Sequence, residues 1–329
     1  MSDKLINATN LKKSFDQFIA VDNIDLSVSR GEVVGFLGPN GAGKSTTMKM
    51  LTGFLEPDNG EIFINNINLK SDPLKAKEYI GYLPEGAPSY SDMIVADFLS
   101  FIGKMRGLND NSLSNRLEEM ANQINLKEMW NRPIETLSKG FKRRVGIAQA
   151  LIHDPDILIL DEPTDGLDPN QKHEMRNLIK RISTNKAIVI STHILEEVEA
   201  VCSRAVIISN GKLLANDTPK NLENKFLNKN TLSIKVSNKI NNDFSKEIKS
   251  LLKYDDIKIQ KTDISTHTLL VSDSKKNPNL NTVLKQISKL KLDVIEANFQ
   301  KVSLEEIFRT ITSETVSYTH LTLPTTTIV

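Results

Sequence analysis

Hydrophobic positions recur with two periods along the first two thirds of the chain. Residues 5–11 and 19–28 are predicted to be short strands with polar turns between them, and the alternation of apolar and polar residues in 61–69 predicts a half-buried strand. Runs that are apolar throughout are typical of strands buried on both faces of a sheet, and they occupy residues 33–37, 157–160 and 187–190. Helical spacing is found in residues 45–55, 92–105, 112–124 and 142–151. Strands that alternate with helices predict an α/β domain with a parallel sheet.

The composition changes after about residue 226, where the chain becomes rich in Lys, Asn and Ser and contains no glycine up to residue 315. The pattern there predicts strand, helix, strand, strand, helix, strand and a last helix, over residues 232–236, 242–252, 257–260, 266–271, 280–289, 292–298 and 303–311. The first six resemble a split β-α-β-β-α-β arrangement. We therefore expect a first domain over 1–227 and a small α+β domain over 228–315.

Residues 316–329 read VSYTHLTLPTTTIV and have neither charge nor a helical pattern. A DNA string that would encode residues 316–325 resembles a transposase adapter used in sequencing libraries, which predicts a non-native tail. A genuine Thr-rich tail is the alternative. We exclude this segment from the fold argument.

Composition narrows the functional classes. The chain has 329 residues with 42 Lys plus Arg and 41 Asp plus Glu, for a net charge of +1, which gives no global drive toward nucleic acid. The single cysteine, Cys202, excludes an intramolecular disulfide and a multi-cysteine metal site. The sequence shows no secretory signal and no apolar run long enough for a membrane helix, so we expect a cytoplasmic setting.

A glycine-rich loop follows the apolar run at 33–37 and opens a helical pattern. Gly38-Pro39-Asn40-Gly41-Ala42-Gly43-Lys44-Ser45 fits G-x-x-x-x-G-K-[ST] in the strand–loop–helix context that the motif requires. Its backbone N–H groups and the helix N-terminus favour a polyphosphate. We expect Lys44 to reach the β- and γ-phosphates and the Ser45 hydroxyl to bind Mg²⁺.

Two carboxylates end the apolar run at 157–160. Asp161 stands where a strand tip could hold Mg²⁺ through a water molecule. Glu162 follows and should point elsewhere, because strand side chains alternate. There it could act on a water in line with the γ-phosphate, as a general base or as an orienting group.

Further motifs in this order resemble the ATP-binding cassette (ABC) family over residues 4–225. Leu137-Ser138-Lys139-Gly140-Phe141 is similar to the LSGGQ signature, and His193 to the switch histidine. Gly166-Leu167-Asp168 resembles the D-loop, and Gly81-Tyr82-Leu83-Pro84-Glu85 the Q-loop. Phe15 occupies the place of the aromatic residue that stacks on adenine.

This resemblance implies a RecA-like P-loop NTPase core with an antiparallel β subdomain and a helical subdomain. It implies two copies that sandwich two ATP molecules, with Mg²⁺ at Ser45, Glu85 and Asp161, and with Glu162 and His193 as catalytic groups. The implied contacts to a copy's own ATP are Phe15, Gly38, Pro39, Asn40, Gly41, Ala42, Gly43, Lys44, Ser45 and Thr46. The signature residues Ser138, Lys139, Gly140 and Phe141 would contact the partner's ATP, and Asp168 would relay between the two sites.

The chain departs from the family pattern at four positions. Glu85 replaces the usual glutamine, Lys139 the first signature glycine, Phe141 the signature glutamine and Phe15 the usual tyrosine. A carboxylate still binds Mg²⁺, and stacking needs only a ring face. We therefore expect an active ATPase. The Pro-Glu ending resembles a branch that includes gliding-motility and nitrous-oxide-accessory ATP-binding proteins.

The resulting prediction is an ATP-hydrolysing subunit that powers a membrane transporter, of the ABC-2 exporter type, by closing a homodimer. Its partner would be an integral-membrane permease, its place the inner face of the cell membrane, and no nucleic acid is expected. The alternatives are an ABC ATPase that acts on the ribosome or on DNA, and a regulatory module without turnover.

Residues 86–108 could receive a coupling helix of the permease or form ordinary subdomain core. His153, His173 and His267 are expected to be surface or satisfied core residues.

Overall fold

A computed structural model describes residues 4–86, 90–226, 231–237, 247–248, 250–252, 254–261, 266–273, 278–290, 292–300, 305 and 308. The chain divides into two compact units, Met1–Pro219 and Lys220–Val329. The predicted domain limits at 227 and 315 stay a prediction. The 316–329 tail and nearly all of the predicted helix at 303–311 lie outside the described residues.

A six-stranded, mostly parallel sheet forms the centre of the first unit. Its strands are β3 (Val33–Leu37), β6 (Ile80–Leu83), β7 (Ile157–Asp161), β8 (Ala187–Thr192), β9 (Arg204–Ser209) and β10 (Lys212–Asp217). The order is β10-β9-β3-β8-β7-β6, and only the β9–β10 pair is antiparallel. Every residue of β3, β7 and β8 is buried, which explains the uninterrupted apolar runs at 33–37, 157–160 and 187–190.

An antiparallel sheet accompanies this core in the order β2-β1-β4-β5. Its strands are β1 (Lys4–Phe15), β2 (Phe18–Ser29), β4 (Asn59–Ile64) and β5 (Ile67–Asn68). The apolar side chains of β1, β2 and β4 join one core cluster with those of β3, β7 and β8. The sheet therefore packs its apolar face against the parallel core.

Seven α-helices lie in the described part of the first unit, and an eighth begins at its last residue, Pro219. They are α1 (Lys44–Leu51), α2 (Pro73–Glu78), α3 (Val95–Met105), α4 (Asp110–Gln123), α5 (Lys139–Leu151), α6 (Pro169–Ile182), α7 (Leu195–Val201) and α8 (Pro219–Phe226). Helix α3 contacts α4 and α5, which makes these three a helical subdomain. Within the described residues, no helix combines the length and apolarity that a membrane crossing requires.

Two sequence-predicted elements end earlier than expected. The helix predicted over 45–55 stops at Leu51, because Gly53 adopts a φ of +67° just beyond it and ends the helix in a left-handed turn. The strand predicted over 61–69 is two strands, since Asn65 and Asn66 both have positive φ, 47° and 64°. Two such residues form the tight turn that pairs β4 with β5.

The second unit contains an antiparallel sheet of β11 (Thr231–Ser237), β12 (Asp256–Lys261), β13 (Thr266–Ser272) and β14 (Asp293–Gln300). Its order is β12-β13-β11-β14. Helix α9 (Leu280–Lys289) and the helical residues 247–248 and 250–252 supply the buried Ile248, Val283 and Ile287 to the core. The strand order is that of the predicted split β-α-β-β-α-β arrangement, with β11 and β13 central, whereas residues 242–246 and 249 of the predicted first helix lie outside the described residues.

His153 is a core histidine whose environment makes the stability of the first unit depend on pH. Its ring Nε2 lies 3.1 Å from the carbonyl oxygen of Ile80, so the neutral tautomer with a proton on Nε2 donates this bond. Desolvation by burial, followed by the charge of Arg106, lowers the pKa of His153 to about 4. Between about pH 6.5 and pH 4 the unfolded chain therefore binds more protons than the folded one.

We predict that the free energy of unfolding falls as the pH drops through this window. Between pH 7 and pH 5 the His153 contribution is a loss of about 2 kcal/mol. Denaturant titrations at the two pH values should show this loss reduced by that amount in His153→Gln. His173→Gln, on the exposed side of α6, is the matched control and should retain the wild-type pH dependence. Equal pH dependence in all three proteins would contradict the assignment.

Candidate active site

The phosphate loop is the turn between β3 and α1, as the motif predicts. Gly41 and Gly43 have φ values of 79° and 104°, which favour glycine. A Cβ atom on Gly43 would lie 2.3 Å from the carbonyl oxygen of Ala20, so the close approach to β2 also requires glycine. Residues 38–46 are thereby held as one continuous segment at the carboxyl end of β3, where ligands bind in parallel α/β sheets.

Lys44 is the first residue of α1 and turns back over its own loop. Its side chain is only 5% exposed, and Nζ donates to the carbonyl oxygens of Gly38 at 2.9 Å and Pro39 at 3.2 Å. Nζ also lies 3.6 Å from Glu162 Oε1. A buried ammonium group held against the glycine-rich loop is a charged hydrogen-bond donor that fits a phosphate.

Asp161 closes β7 with a buried carboxylate beside two hydroxyl groups. It accepts a short hydrogen bond from Ser191 Oγ on β8, and Ser45 Oγ lies 3.4 Å from Asp161 Oδ1. Asp161 is 1% exposed and belongs to none of the ion pairs found among the described residues. A buried carboxylate is costly without a positive partner, so Ser45 and Asp161 fit a divalent cation with oxygen ligands.

Glu162 does not continue the strand, which corrects the alternation argument used to orient it. The β7–β8 pairing ends with Asp161 opposite Ser191, and Glu162 has a left-handed φ of 48°. Its N–H group lies 3.1 Å from both the carbonyl oxygen and Oγ of Ser191. These contacts stabilise a backbone conformation that is uncommon for a residue other than glycine.

The Glu162 side chain lies between Lys44 and His193. Its Oε2 is 3.1 Å from His193 Nδ1, and the Glu162 and His193 side chains are 13% and 44% exposed. Asp165 joins them, with potential ligand atoms of all three residues within 4.8 Å of one another. The structure thus brings together the loop lysine, the second carboxylate and the histidine, and Asp165 is an addition that the sequence argument missed.

Arg143 is a second residue that the motifs did not reveal. It is buried in α5 and donates from Nη1 to the carbonyl oxygen of Pro84 at 3.2 Å and from Nη2 to that of Glu162 at 2.7 Å. Burial lowers the pKa of Arg143, an effect opposed by nearby carboxylates, of which Asp165 is the strongest. A sequence signal existed: Arg143 lies three residues after Gly140 and four before Ile147, on the buried face of α5.

The signature and D-loop segments lie beside each other. Ser138 caps α5 by accepting from the N–H of Phe141 at 3.4 Å, and Asp168 caps α6 by accepting from the N–H of Gln171 at 2.9 Å. A Cβ atom on Gly140 would lie 2.8 Å from the Gln171 side chain, so glycine permits this close packing. Both Ser138 and Asp168 are exposed.

Some predicted site residues make no contact with the phosphate loop. No hydrogen bond, ion pair or ring contact of the described chain joins residues 138–141 or Asp168 to residues 38–46. Glu85 is exposed beyond β6. Phe15 is 47% exposed at the end of β1, with Lys13 Nζ 5.8 Å from its ring centroid. Their roles stay predictions.

Known proteins resemble this chain in sequence and in fold. Residues 21–165 match the family model described as ABC transporter. The linearmycin resistance ATP-binding protein LnrL of Bacillus subtilis (strain 168) is 31% identical over 313 residues, which cover 95% of this chain and 99% of LnrL. The ABC transporter ATP-binding protein NatA of the same organism is 38% identical over 59% of this chain and 80% of its own length.

A solved structure of the ATP-binding subunit of an ABC transporter superposes with a TM-score of 0.62 and 30% identity, covering 68% of this chain and 93% of that one. These matches confirm the predicted α/β fold class and favour transport over the ribosome or DNA alternative. Because a relative of this identity is matched over nearly its whole length, the chain belongs to the family of ABC transporter ATP-binding proteins, the subunits that bind and hydrolyse ATP to power a membrane transporter.

Proposed function

We propose that this chain is the ATPase subunit of an exporter and that its chemistry is centred on Glu162. The observation that carries the assignment is the position of the Glu162 carboxylate, 3.6 Å from Lys44 Nζ through Oε1 and 3.1 Å from His193 Nδ1 through Oε2. A carboxylate held between a phosphate-binding lysine and a histidine is placed to activate or orient an attacking water.

The bound nucleotide would lie over residues 38–46, with the adenine ring on the exposed face of Phe15. Lys44 would exchange the carbonyl oxygens of Gly38 and Pro39 for phosphate oxygens, which are stronger partners because they carry charge. The N-terminus of α1 adds positive potential at the same place. This arrangement supports ATP binding by the predicted loop residues.

Mg²⁺ would be held by Ser45 and Asp161, with Glu85 near the phosphates. When bound, the ion would offset the negative charge of the β- and γ-phosphates. Ser191 keeps Asp161 in place through its hydrogen bond, and the burial of Asp161 excludes competing water. These contacts support the predicted metal residues.

His193 would orient the Glu162 carboxylate and contact the γ-phosphate. Nδ1 lies 3.1 Å from the carboxylate, and a ring that donates there can also donate from Nε2 to a phosphate oxygen only when it carries both protons. Glu162 accepts the proton of the attacking water in the general-base form of the mechanism. Ser191 Oγ accepts from the N–H of Glu162, and Arg143 donates to the carbonyl oxygen of Glu162. These two hydrogen bonds hold the Glu162 backbone in place and so position its carboxylate.

Two copies of the chain would form the complete site. Ser138 and Lys139 are exposed at the start of α5, so the N-terminus of this helix can meet the nucleotide of a second copy. Asp168 starts the neighbouring helix α6 and would relay between the copies. The chain would act on a separate permease at the inner membrane face and export a compound, in keeping with a relative named for linearmycin resistance.

Glu162→Gln should bind ATP normally and hydrolyse it at least about 100-fold more slowly, because the amide cannot take a proton. Steady-state phosphate release and nucleotide titration measure the two properties. Light scattering with ATP and Mg²⁺ should show this variant as a dimer. Glu118→Gln, on the exposed side of α4, is the matched control. Turnover within twofold of the wild type in Glu162→Gln would remove Glu162 from its role.

Lys44→Ala should weaken ATP binding by about 10- to 100-fold, since it removes a charged hydrogen-bond donor from the loop. The measurement is the dissociation constant for ATP by calorimetric titration. Lys49→Ala removes the same charge from the exposed face of the same helix and should leave the affinity unchanged. Equal affinities for all three proteins would refute the role of Lys44.

The full chain carrying Glu162→Gln should retain its permease when it is tagged in the source cell and purified from detergent extract with ATP. We expect mass spectrometry to identify a multi-span membrane protein in the sample, because a closed ATPase dimer stays docked. The same tagged chain with Lys44→Ala controls for nonspecific capture. Recovery of ribosomes or DNA factors without a membrane protein would overturn the transport assignment.

A further inference from the structure

A buried carboxylate lies behind the candidate catalytic groups. Glu197 is in the first turn of α7 and is 4% exposed. It accepts a hydrogen bond from Thr192 Oγ1 on one oxygen at 2.8 Å and a short one from Thr164 Oγ1 on the other. Both threonines are buried, at 2% and 3% exposed. None of the ion pairs among the described residues includes Glu197.

The two threonines belong to the two segments that carry the candidate catalytic side chains. Thr164 follows Glu162 by two residues, and Thr192 directly precedes His193. Thr192 Oγ1 also accepts from the N–H of Ile194 at 3.0 Å. This hydrogen bond joins the residue before His193 to the residue after it. A single carboxylate therefore connects the segment after Glu162 to the segment that presents His193.

The energetics of this arrangement favour a functional reason for the charge. Burying a carboxylate costs free energy that hydrogen bonds only partly offset, and an apolar side chain of similar volume would fill the same space at a lower cost. Both carboxylate oxygens of Glu197 accept a hydrogen bond from a threonine hydroxyl, so this one side chain bridges Thr164 and Thr192.

We propose that Glu197 is a positioning residue that sets the distance between the Glu162 carboxylate and the His193 ring. This inference rests on the proposed catalytic roles of those two residues. The hydrogen bonds of Glu197 hold the ends of β7 and β8, and they do not involve the phosphate loop after β3. Loss of the bridge should therefore slow turnover and leave ATP affinity unchanged.

The first test compares Glu197→Gln with Glu196→Gln. The amide keeps the volume of Glu197, but it accepts on its single oxygen only, so at the other threonine hydroxyl its NH2 group must donate where the carboxylate accepts. We expect kcat to fall by about tenfold, with the KM for ATP within twofold and the melting temperature within a few degrees. Glu196 is the preceding residue of α7 and has an 81% exposed side chain, so its variant should match the wild type. A kcat within twofold of the wild type in Glu197→Gln would overturn the proposal.

The second test asks whether Glu197 acts through the histidine. His193→Ala alone should slow hydrolysis, and Glu197→Gln should add less than about threefold in that background. If Glu197→Gln still costs about tenfold there, its effect is independent of His193 and the proposal fails. If His193→Ala itself leaves kcat unchanged, the proposed role of His193 fails instead, and the two failures are distinguished.

A third pair of variants covers the case in which Glu197→Gln does not fold. Thr192→Val removes the hydroxyl and keeps the shape of the side chain, whereas Thr192→Ser keeps the hydroxyl. We expect kcat to fall by about tenfold in Thr192→Val and to stay within about threefold in Thr192→Ser, with KM for ATP steady in both. Equal kcat values in the two variants would overturn the bridge.

Discussion

The parallel register of three buried strands is the constraint on which the site depends. Leu37 at the end of β3 pairs with Thr192 of β8, and Asp161 at the end of β7 pairs with Ser191 of the same strand. The phosphate loop, Glu162 and His193 each begin one residue beyond these paired positions. Residues that are far apart in sequence therefore lie side by side at one edge of the sheet. A shift of one residue in either strand pairing would separate them.

Charge balance is the second requirement of this edge of the sheet. Glu162 lies 3.6 Å from the buried Lys44, the charges of Asp161 and Glu162 both act on the buried Arg143, and exclusion of water strengthens these interactions. Tyr82 lies in the same environment. Burial, followed by the charges of Asp161 and Glu85, raises the pKa of Tyr82 to about 12. Phosphate and a divalent cation would enter a site whose fixed charges are already arranged around them.

Local sequence predicts the parts of this protein that depend on near neighbours. The strand–loop–helix at 33–51 follows from periodicity and glycine placement, and the order of the second unit's strands follows from periodicity alone. The hairpin at Asn65 and Asn66 could have been predicted, because two adjacent asparagines favour positive φ. The left-handed conformation of Glu162 could not, since it is stabilised by Ser191 and Arg143 through contacts that depend on the tertiary fold.

Arg143 shows how that tertiary fold joins distant parts of the site. Helix α5 begins at the exposed Ser138 cap, and Arg143 lies five residues along it, about 7.5 Å at a rise of 1.5 Å per residue. One guanidinium group holds the carbonyl oxygens of Pro84, beyond β6, and of Glu162, beyond β7. Helix α5 therefore connects the exposed signature segment at its start to the backbone of the candidate base through the Arg143 side chain.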